Sequence, residues 1–324
     1  MAAVLAVALG GTHMRVAVVG PDGTIADRAE EPTRHAAAHP GELFAIMAKL
    51  RGRHEVDRAV AGLPGRIDYR AGRLEYAPNL PPTWAAELTA ERLGQVTGVP
   101  TAVANDADLA AAGEAYFGAG RDYADVVFMT VSTGVGAGAI LGGRLVAGWR
   151  SGLEIGHVVI DRDAARAGGP ATVEQLGAGT ALARAAEAAG IQDHAAALLA
   201  RAEAGDPALA AAWAQVTQAV GLGAATLAHM LCPEVIVIGG GLGEASEGLR
   251  AAPRCGRPWP STGPAGWRCP SPSCPPCSAT TPDCTAPWSG TRPPEKHDHT
   301  LMEIRVSGPR WCAAGRDRRG RPSG

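Results

Sequence analysis

At 324 residues the chain is long enough for two domains of ordinary size, and 46% apolar residues suffice to fill two cores. A formal net charge of -2, with no run of Lys or Arg before the last few residues, argues against a polyanionic partner, so no nucleic acid is expected. A cationic signal start and an apolar stretch of about 18 residues are both lacking, so no membrane partner is expected and the chain reads as cytoplasmic.

Taken in chain order, residues 4–9 (VLAVAL) and 14–19 (MRVAVV) are short β-rich runs joined by Gly10-Gly11-Thr12-His13. The turn signal PDGT at 21–24 leads to a third strand, giving an antiparallel meander at the start of an α/β domain. RAVAGLPGRID (58–68) reads as a strand ending in a Pro-Gly loop. In PTAVANDADLAAAGEAYFGAG (100–120) a strand stops at Asn105 and an Ala-rich helix begins. Asn105 is placed to cap that helix, with Asp108 in a capping-box-like position. DVVFMTVSTGVGAGAILGGRLV (125–146) repeats the theme as strand, glycine turn and strand. Ala-rich helices follow over 173–231, and EVIVIGGGLGEA (234–245) is a buried strand breaking into a triple-glycine loop.

Strand ends carrying glycine and hydroxyl turns, in two halves that can face one another, describe a cleft for phosphates. Gly10-Gly11-Thr12 and Ser132-Thr133-Gly134-Val135-Gly136 can each bend backbone N–H groups around a phosphate, because glycine permits both positive φ and close approach. Either turn alone is equally a structural hairpin; together with Gly239-Gly240-Gly241 they are harder to read that way. Asn105-Asp106 is either an N-cap pair or a carboxylate base with a substrate-holding amide beside it. Glu154 and His157, in GLEIGHVVID, are either a strand-edge pair or a hydroxyl-binding pair. Pro78-Asn79-Leu80 alone is an ordinary loop.

The ordered set GGT, LPGRID, APNLP, NDADLAAAGEA, TVSTGVGAGAI, EIGH, VEQLGAG and VIGGG resembles the ROK family of sugar kinases and related repressors over roughly residues 4–245. The resemblance implies a two-lobed α/β actin-like ATPase (ribonuclease H-like) fold with a central cleft. It also implies ATP-dependent phosphorylation of a hexose, with ATP and Mg²⁺ as cofactors and a homodimer as the assembly. By that resemblance Asp106 is the catalytic base. Asn79, Asn105, Glu154, His157 and Glu174 contact sugar hydroxyls. Gly10, Gly11, Thr12, Ser132, Thr133, Gly134 and Gly136 hold ATP phosphates, and Gly239, Gly240 and Gly241 lie near adenosine. The residue types suit the chemistry, since phosphoryl transfer asks mainly for positioning, charge neutralisation and one proton acceptor. Short polar side chains suit sugar hydroxyls, and closure of the lobes would exclude competing water.

Glucose is the first expectation for the sugar. N-acetylglucosamine, N-acetylmannosamine and fructose stay open, as does a non-catalytic sugar-binding pseudokinase or regulator. The regulator branch carries an N-terminal helix-turn-helix, which the residues before the first strand do not supply, so DNA binding is not expected. Two departures bear on activity. Ala8 stands where the family usually has an Asp that helps hold Mg²⁺ through water. Ala165, Ala167 and Thr172 stand where many members have zinc-binding cysteines, so no structural zinc is expected and Val173 and Leu176 must hold that helix by packing.

Residues 1–117 are expected to form the sugar and phosphate lobe, and 118–250 a shortened nucleotide lobe. Residues 251–324 hold 14 of 25 prolines, four of seven tryptophans and six of seven cysteines, and only Cys232 lies earlier. That stretch is expected to be without order. A one-base shift over Pro276 to Thr291 permits V-L-G-D-D-A-G-L-H-G-A-L-V-G, which resembles the family's closing LGDxAGLxGA segment, so a shifted reading frame is the expected origin.

Overall fold

In the computed structural model, residues 3–34, 37–246, 249 and 303–306 are described. β1 (Ala3–Leu9), β2 (His13–Val19) and β3 (Ile25–Pro32) form the expected antiparallel meander. α1 (Gly41–Arg53) leads into β4 (Val56–Leu63), which pairs parallel with β1. The hairpin of β5 (Arg66–Asp68) and β6 (Arg73–Tyr76) stands apart as a two-stranded sheet. α2 (Ala90–Thr97) then leads into β7 (Thr101–Asn105), which completes a sheet of order β3-β2-β1-β4-β7. Alternation in the first two strands buries Leu5, Val7 and Leu9 with Met14, Val16 and Val18, and these join Leu43, Met47 and Leu50 of α1 in one core.

α3 (Asp106–Tyr116) carries the chain to a second sheet. β8 (Val126–Val131), β9 (Val135–Leu141) and β10 (Arg144–Leu145) are its antiparallel part. α4 (Arg162–Arg166), α5 (Val173–Gly177), α6 (Gly179–Ala188), α7 (Ala195–Glu203) and α8 (Pro207–Leu231) follow. β11 (Val235–Gly239), α9 (Gly240–Ala245) and β12 (Glu303–Val306) close the order β10-β9-β8-β11-β12. Each sheet is thus an antiparallel triplet continued by parallel strands, the structural form of the repeat seen in the sequence. β8 has both faces covered: Val126 and Phe128 pack with Ala111 and Ala115 of α3, while Val127, Met129 and Val131 pack with Val216, Val220 and Ala224 of α8. Such a strand reads as a continuous apolar run.

α3 therefore belongs to the second core by its apolar face, although β7, which delivers it, belongs to the first. The chain changes cores at Asn105, one helix before the expected boundary at residue 117. Gly138 of β9 lets this helix approach: a Cβ there would lie 2.6 Å from the Ala107 carbonyl oxygen and 2.8 Å from Asp108 Cα.

Several expectations are corrected. Glu154 and His157 are not a strand-edge pair: Ile155–His157 is a 3₁₀ turn with Glu154 at its start, and the antiparallel bridge Val159↔Thr172 lies beyond it. The triple-glycine segment is not an open loop, because Gly240, at φ 83°, starts α9 immediately after β11. Asp108 forms no capping box; its carboxylate accepts from Tyr69 Oη at 2.6 Å. Glu303–Val306, expected to be without order, pairs parallel with β11 in the register Val235↔Glu303 to Ile238↔Val306. Ile304 and Val306 are β-branched, a residue type enriched in strands. The rest of the expectation for residues 251–324, including the shifted frame, lies outside the described residues. Among the described residues no helix is long and apolar enough to cross a membrane.

Candidate active site

Asp106 is the first residue of α3 and Asn105 is its N-cap. Asn105 Oδ1 accepts from the backbone N–H groups of Ala107 and Asp108 at 2.9 and 3.2 Å, and its Nδ2 donates to the Gly65 carbonyl at 2.8 Å. The cap so fixes two things at once, the start of the helix and the Pro64-Gly65 loop. One amide hydrogen of Asn105 is left over for a further acceptor. Gly62, at the end of β4, lies under Asp106, since a Cβ there would be 3.8 Å from Asp106 Cα. Ala8 pairs with Gly62 across the sheet, so the departure at position 8 is two strands from the one that leads into Asp106.

The Asp106 side chain is open to solvent, yet protein surrounds its carboxyl group on the remaining sides. This loss of water raises its pKa to about 6, the negative charge of Glu154 adds to the rise, and an N–H from Ala107 opposes it. A carboxylate of that pKa is ionised at neutral pH and is a better proton acceptor than an ordinary Asp.

Asp108, 1% exposed, also has its pKa raised to about 6, first by burial and then by the charges of Glu154 and Asp106, against the Tyr69 hydrogen bond. Its Oδ1 is buried without a hydrogen-bond partner. Tyr69 Oη in turn accepts from the Asn105 N–H at 3.1 Å, and burial raises its own pKa. Because Asp108 titrates higher in the fold than the ordinary value of 3.8, its contribution to stability is complete below about pH 4 and lost as pH rises through about 6. Asp108→Asn is expected to remove that loss. Relative to wild type, the variant should gain on the order of 2–3 kcal/mol, or ~5 °C in Tm, between pH 4 and 7. A Tm difference independent of pH would exclude a buried titrating carboxylate here.

The first glycine turn is tied down from outside. Gly10 N donates to the His13 carbonyl at 2.8 Å, Thr33 Oγ1 donates to the Gly10 carbonyl at 2.8 Å, and Thr33 N donates to the Thr12 carbonyl at 2.8 Å. Gly11 faces Asn79, whose Cβ would be 3.2 Å from a Cβ on the glycine, so this turn and the Asn79 loop adjoin. In the second turn Ser132 N donates to the Gly134 carbonyl at 2.9 Å, and Thr133 is exposed at its tip. Glu174 Oε2 accepts from Val135 N at 2.9 Å and fills the space beside Gly134. Glu174 thus braces the second turn, with its other oxygen for further contacts. Gly136 lies within β9 with Ala107 beside it. Gly239 ends β11, Gly240 abuts Thr130 and Val131, and a Cβ on Gly241 would be 3.7 Å from Ser132 Oγ, so the third glycine segment adjoins the second turn.

Glu154 and His157 sit on the 3₁₀ turn, 3.8 Å apart, with side chains 48% and 73% exposed. Gly156 between them has no room for a Cβ against the Val135 carbonyl. The approach to this turn is stitched to the other lobe: Ser151 Oγ accepts from Ile67 N at 3.2 Å, Ser151 N donates to the Ile67 carbonyl at 3.1 Å, and Tyr69 N donates to the Trp149 carbonyl at 2.9 Å. Thr172, at a position expected to lack a cysteine, caps α5 in a box with Gln175, and Val173 and Leu176 are buried as anticipated. Sequence reasoning missed Thr33, Tyr69 and Ser151. Only the TVEQ pattern of the α5 box was readable locally.

The sequence profile of the ROK family matches residues 4–259. The chain belongs to the ROK family. Among relatives of this ROK protein, the glucokinase of Thermotoga maritima is 30% identical over 268 residues, covering 75% of this chain and 83% of its own. An N-acetylmannosamine kinase of Escherichia coli is 33% identical over 269 residues, covering 76% and 85%. The ROK family glucokinase from Streptomyces griseus, solved in complex with glucose and AMPPNP, superposes with a TM-score of 0.64 at 28% identity, covering 77% of this chain and 86% of that one. The ROK protein accordingly has the two-lobed actin-like fold of these sugar kinases.

Proposed function

We propose that this ROK-family sugar kinase transfers the γ-phosphoryl group of ATP to a hydroxyl of glucose, giving glucose 6-phosphate. The observation that carries the reading is Asp106: a carboxylate raised to a pKa of about 6, fixed at a capped helix N-terminus, close enough to Glu154 to feel its charge, with Gly62 of β4 under its Cα. Asp106 takes the proton from the sugar hydroxyl as that oxygen attacks phosphorus. Asn79, Asn105, Glu154, His157 and the outer oxygen of Glu174 pair with the remaining hydroxyls and fix which oxygen faces the base. The turns at Gly10 to Thr12 and Ser132 to Gly136 present N–H groups to the phosphates, and Gly239 to Gly241 accept the adenosine end.

Among the described residues no group of three His, Cys, Asp or Glu side chains could hold a metal ion. Mg²⁺ usually keeps several waters and binds one or two carboxylates plus substrate phosphates, so Asp106 together with ATP suits it. Bound there, it would neutralise charge on the phosphates. Ala8 supplies no second carboxylate, and Ala8→Asp is expected to raise turnover about tenfold or more. An unchanged rate would mean that position 8 does not limit metal binding. The substrate itself is tested by ATP-coupled assay of the full chain on glucose, N-acetylmannosamine, N-acetylglucosamine and fructose. Glucose should give the highest kcat/KM; a higher value for an N-acetylhexosamine would replace it, and no turnover with any sugar would favour a sugar-binding pseudokinase.

A further inference from the structure

A groove of about 630 Å³ opens on the β5–β6 hairpin, outside the catalytic residues, and its charged lining is Arg66, Arg73, Glu75 and Arg150. Three guanidinium groups line it with one carboxylate, which pairs with two of them. Arg66 Nε donates to Glu75 Oε2 at 3.0 Å, and Arg150 Nη2 donates to Glu75 Oε1 at 3.0 Å. Arg150 Nε lies 2.7 Å from Glu75 Oε2 but is buried without the alignment of a hydrogen bond. Glu75 is held from both sides at 15% exposure, and the Arg150 guanidinium stacks 3.7 Å above the Trp149 ring. Arg73 lines the same groove, and its backbone bridges to Thr89, another lining residue. The groove carries a net charge of about two positive units and several N–H donors beyond those Glu75 can satisfy. Its size is that of a small-ligand site. The guanidinium forks of Arg66 and Arg150 meet at Glu75, with Arg73 on the same groove wall, and planar forks of this kind match the oxygens of a phosphate group.

We propose that this groove is a second ligand site, which binds the phosphate of a small phosphomonoester and acts as an effector site for the catalytic cleft. Leu74, Ala85, Ala86 and Thr89 give the rest of such a ligand an apolar wall and one hydroxyl. The connection to catalysis is short. Arg66 directly follows Gly65, whose carbonyl takes the Asn105 amide, and Arg150 precedes Ser151, which is bonded to Ile67, and the Glu154 turn. A phosphate drawn between Arg66 and Arg150 loosens their grip on Glu75 and is felt at both segments. The effector role rests on the kinase reading; the binding site does not.

The test is calorimetric titration of the full chain with inorganic phosphate and, separately, with glucose 6-phosphate, for wild type, Arg73→Ala, Arg73→Lys and Asp106→Asn. Phosphate binding should weaken at least tenfold in Arg73→Ala, recover in part in Arg73→Lys and persist in Asp106→Asn. Tighter binding of glucose 6-phosphate than of inorganic phosphate would mark the ester as the ligand, and equal binding would mark free phosphate. Binding unchanged in Arg73→Ala, or lost in Asp106→Asn alone, overturns the site. In the kinetic arm, added phosphate ligand should shift the wild-type sugar KM at least threefold without changing kcat, and not in Arg73→Ala. A wild-type KM that does not respond overturns the effector role while leaving the binding result to stand by itself, even if sugar phosphorylation is absent.

Discussion

Asp106→Asn is expected to lower kcat by ~10²–10⁴ while sugar affinity stays within about threefold. The amide keeps the size and helix-terminal position of the side chain, and the cap is made by Asn105, so the fold around it is retained. What is lost is the proton acceptor. In the wild type, kcat/KM should rise about tenfold per pH unit up to roughly pH 6 and then level, because the free enzyme's base is protonated below its pKa of about 6. That limb should vanish from the residual activity of the variant. Steady-state rates from pH 5 to 8, with sugar binding measured without nucleotide, check both parts. A variant with near wild-type turnover would remove Asp106 from the chemistry.

Gly138→Ala should do comparable damage from outside the cleft. Its Cβ would meet backbone atoms of Ala107 and Asp108, which cannot rotate away, so β9 or the first turn of α3 must move. Overpacking of this kind costs ~3 kcal/mol, and a displacement of about 1 Å at a base typically costs ~10²-fold in rate. Thermal unfolding and kcat/KM should fall together. Gly136→Ala is the comparison: its Cβ would make contacts of 3.4 Å with Thr130 and 3.6 Å with Ala107, which are ordinary, and its effect on thermal unfolding should be small. Equal behaviour of the two variants would refute the steric argument.

These two residues also show what could be read in advance. The position of Asp106, at the first turn of a capped helix, was legible because its signals are local: a strand that ends, an Asn that caps, an Ala-rich helix that follows. The glycines of TGVGAGAI were legible as residues but less so in purpose, since the reason for Gly138 is a helix 30 positions earlier in the chain. Distance in sequence likewise hid Thr33, Tyr69 and Ser151, whose partners lie 23, 36 and 84 positions away. α1 and α2 were not anticipated, although Thr89 and the positive φ of Gly98 bracket α2 as N-cap and C-cap. Glu154 and His157 could be read from the sequence as a strand-edge pair, but Gly156 must pass tightly under Val135, so they sit on a turn, and backbone pairing begins only beyond it, at Val159↔Thr172. The repeat of two sheets was visible as a repeated strand-turn-strand theme, because both faces of β8 and β11 are covered and their sequences are uniformly apolar.

The passage of α3 from one core to the other bears on how relatives could be recombined. A chimera spliced between Asn105 and Asp106 would take the cap from one parent and the capped helix from another. One spliced after Tyr116 would keep them together but set the helix's apolar face against a foreign β8 and β9. The sheets can be exchanged as modules only if the segment from β7 through β9 travels as one piece, so the unit of inheritance for Asp106 and its cap is this junction rather than either lobe.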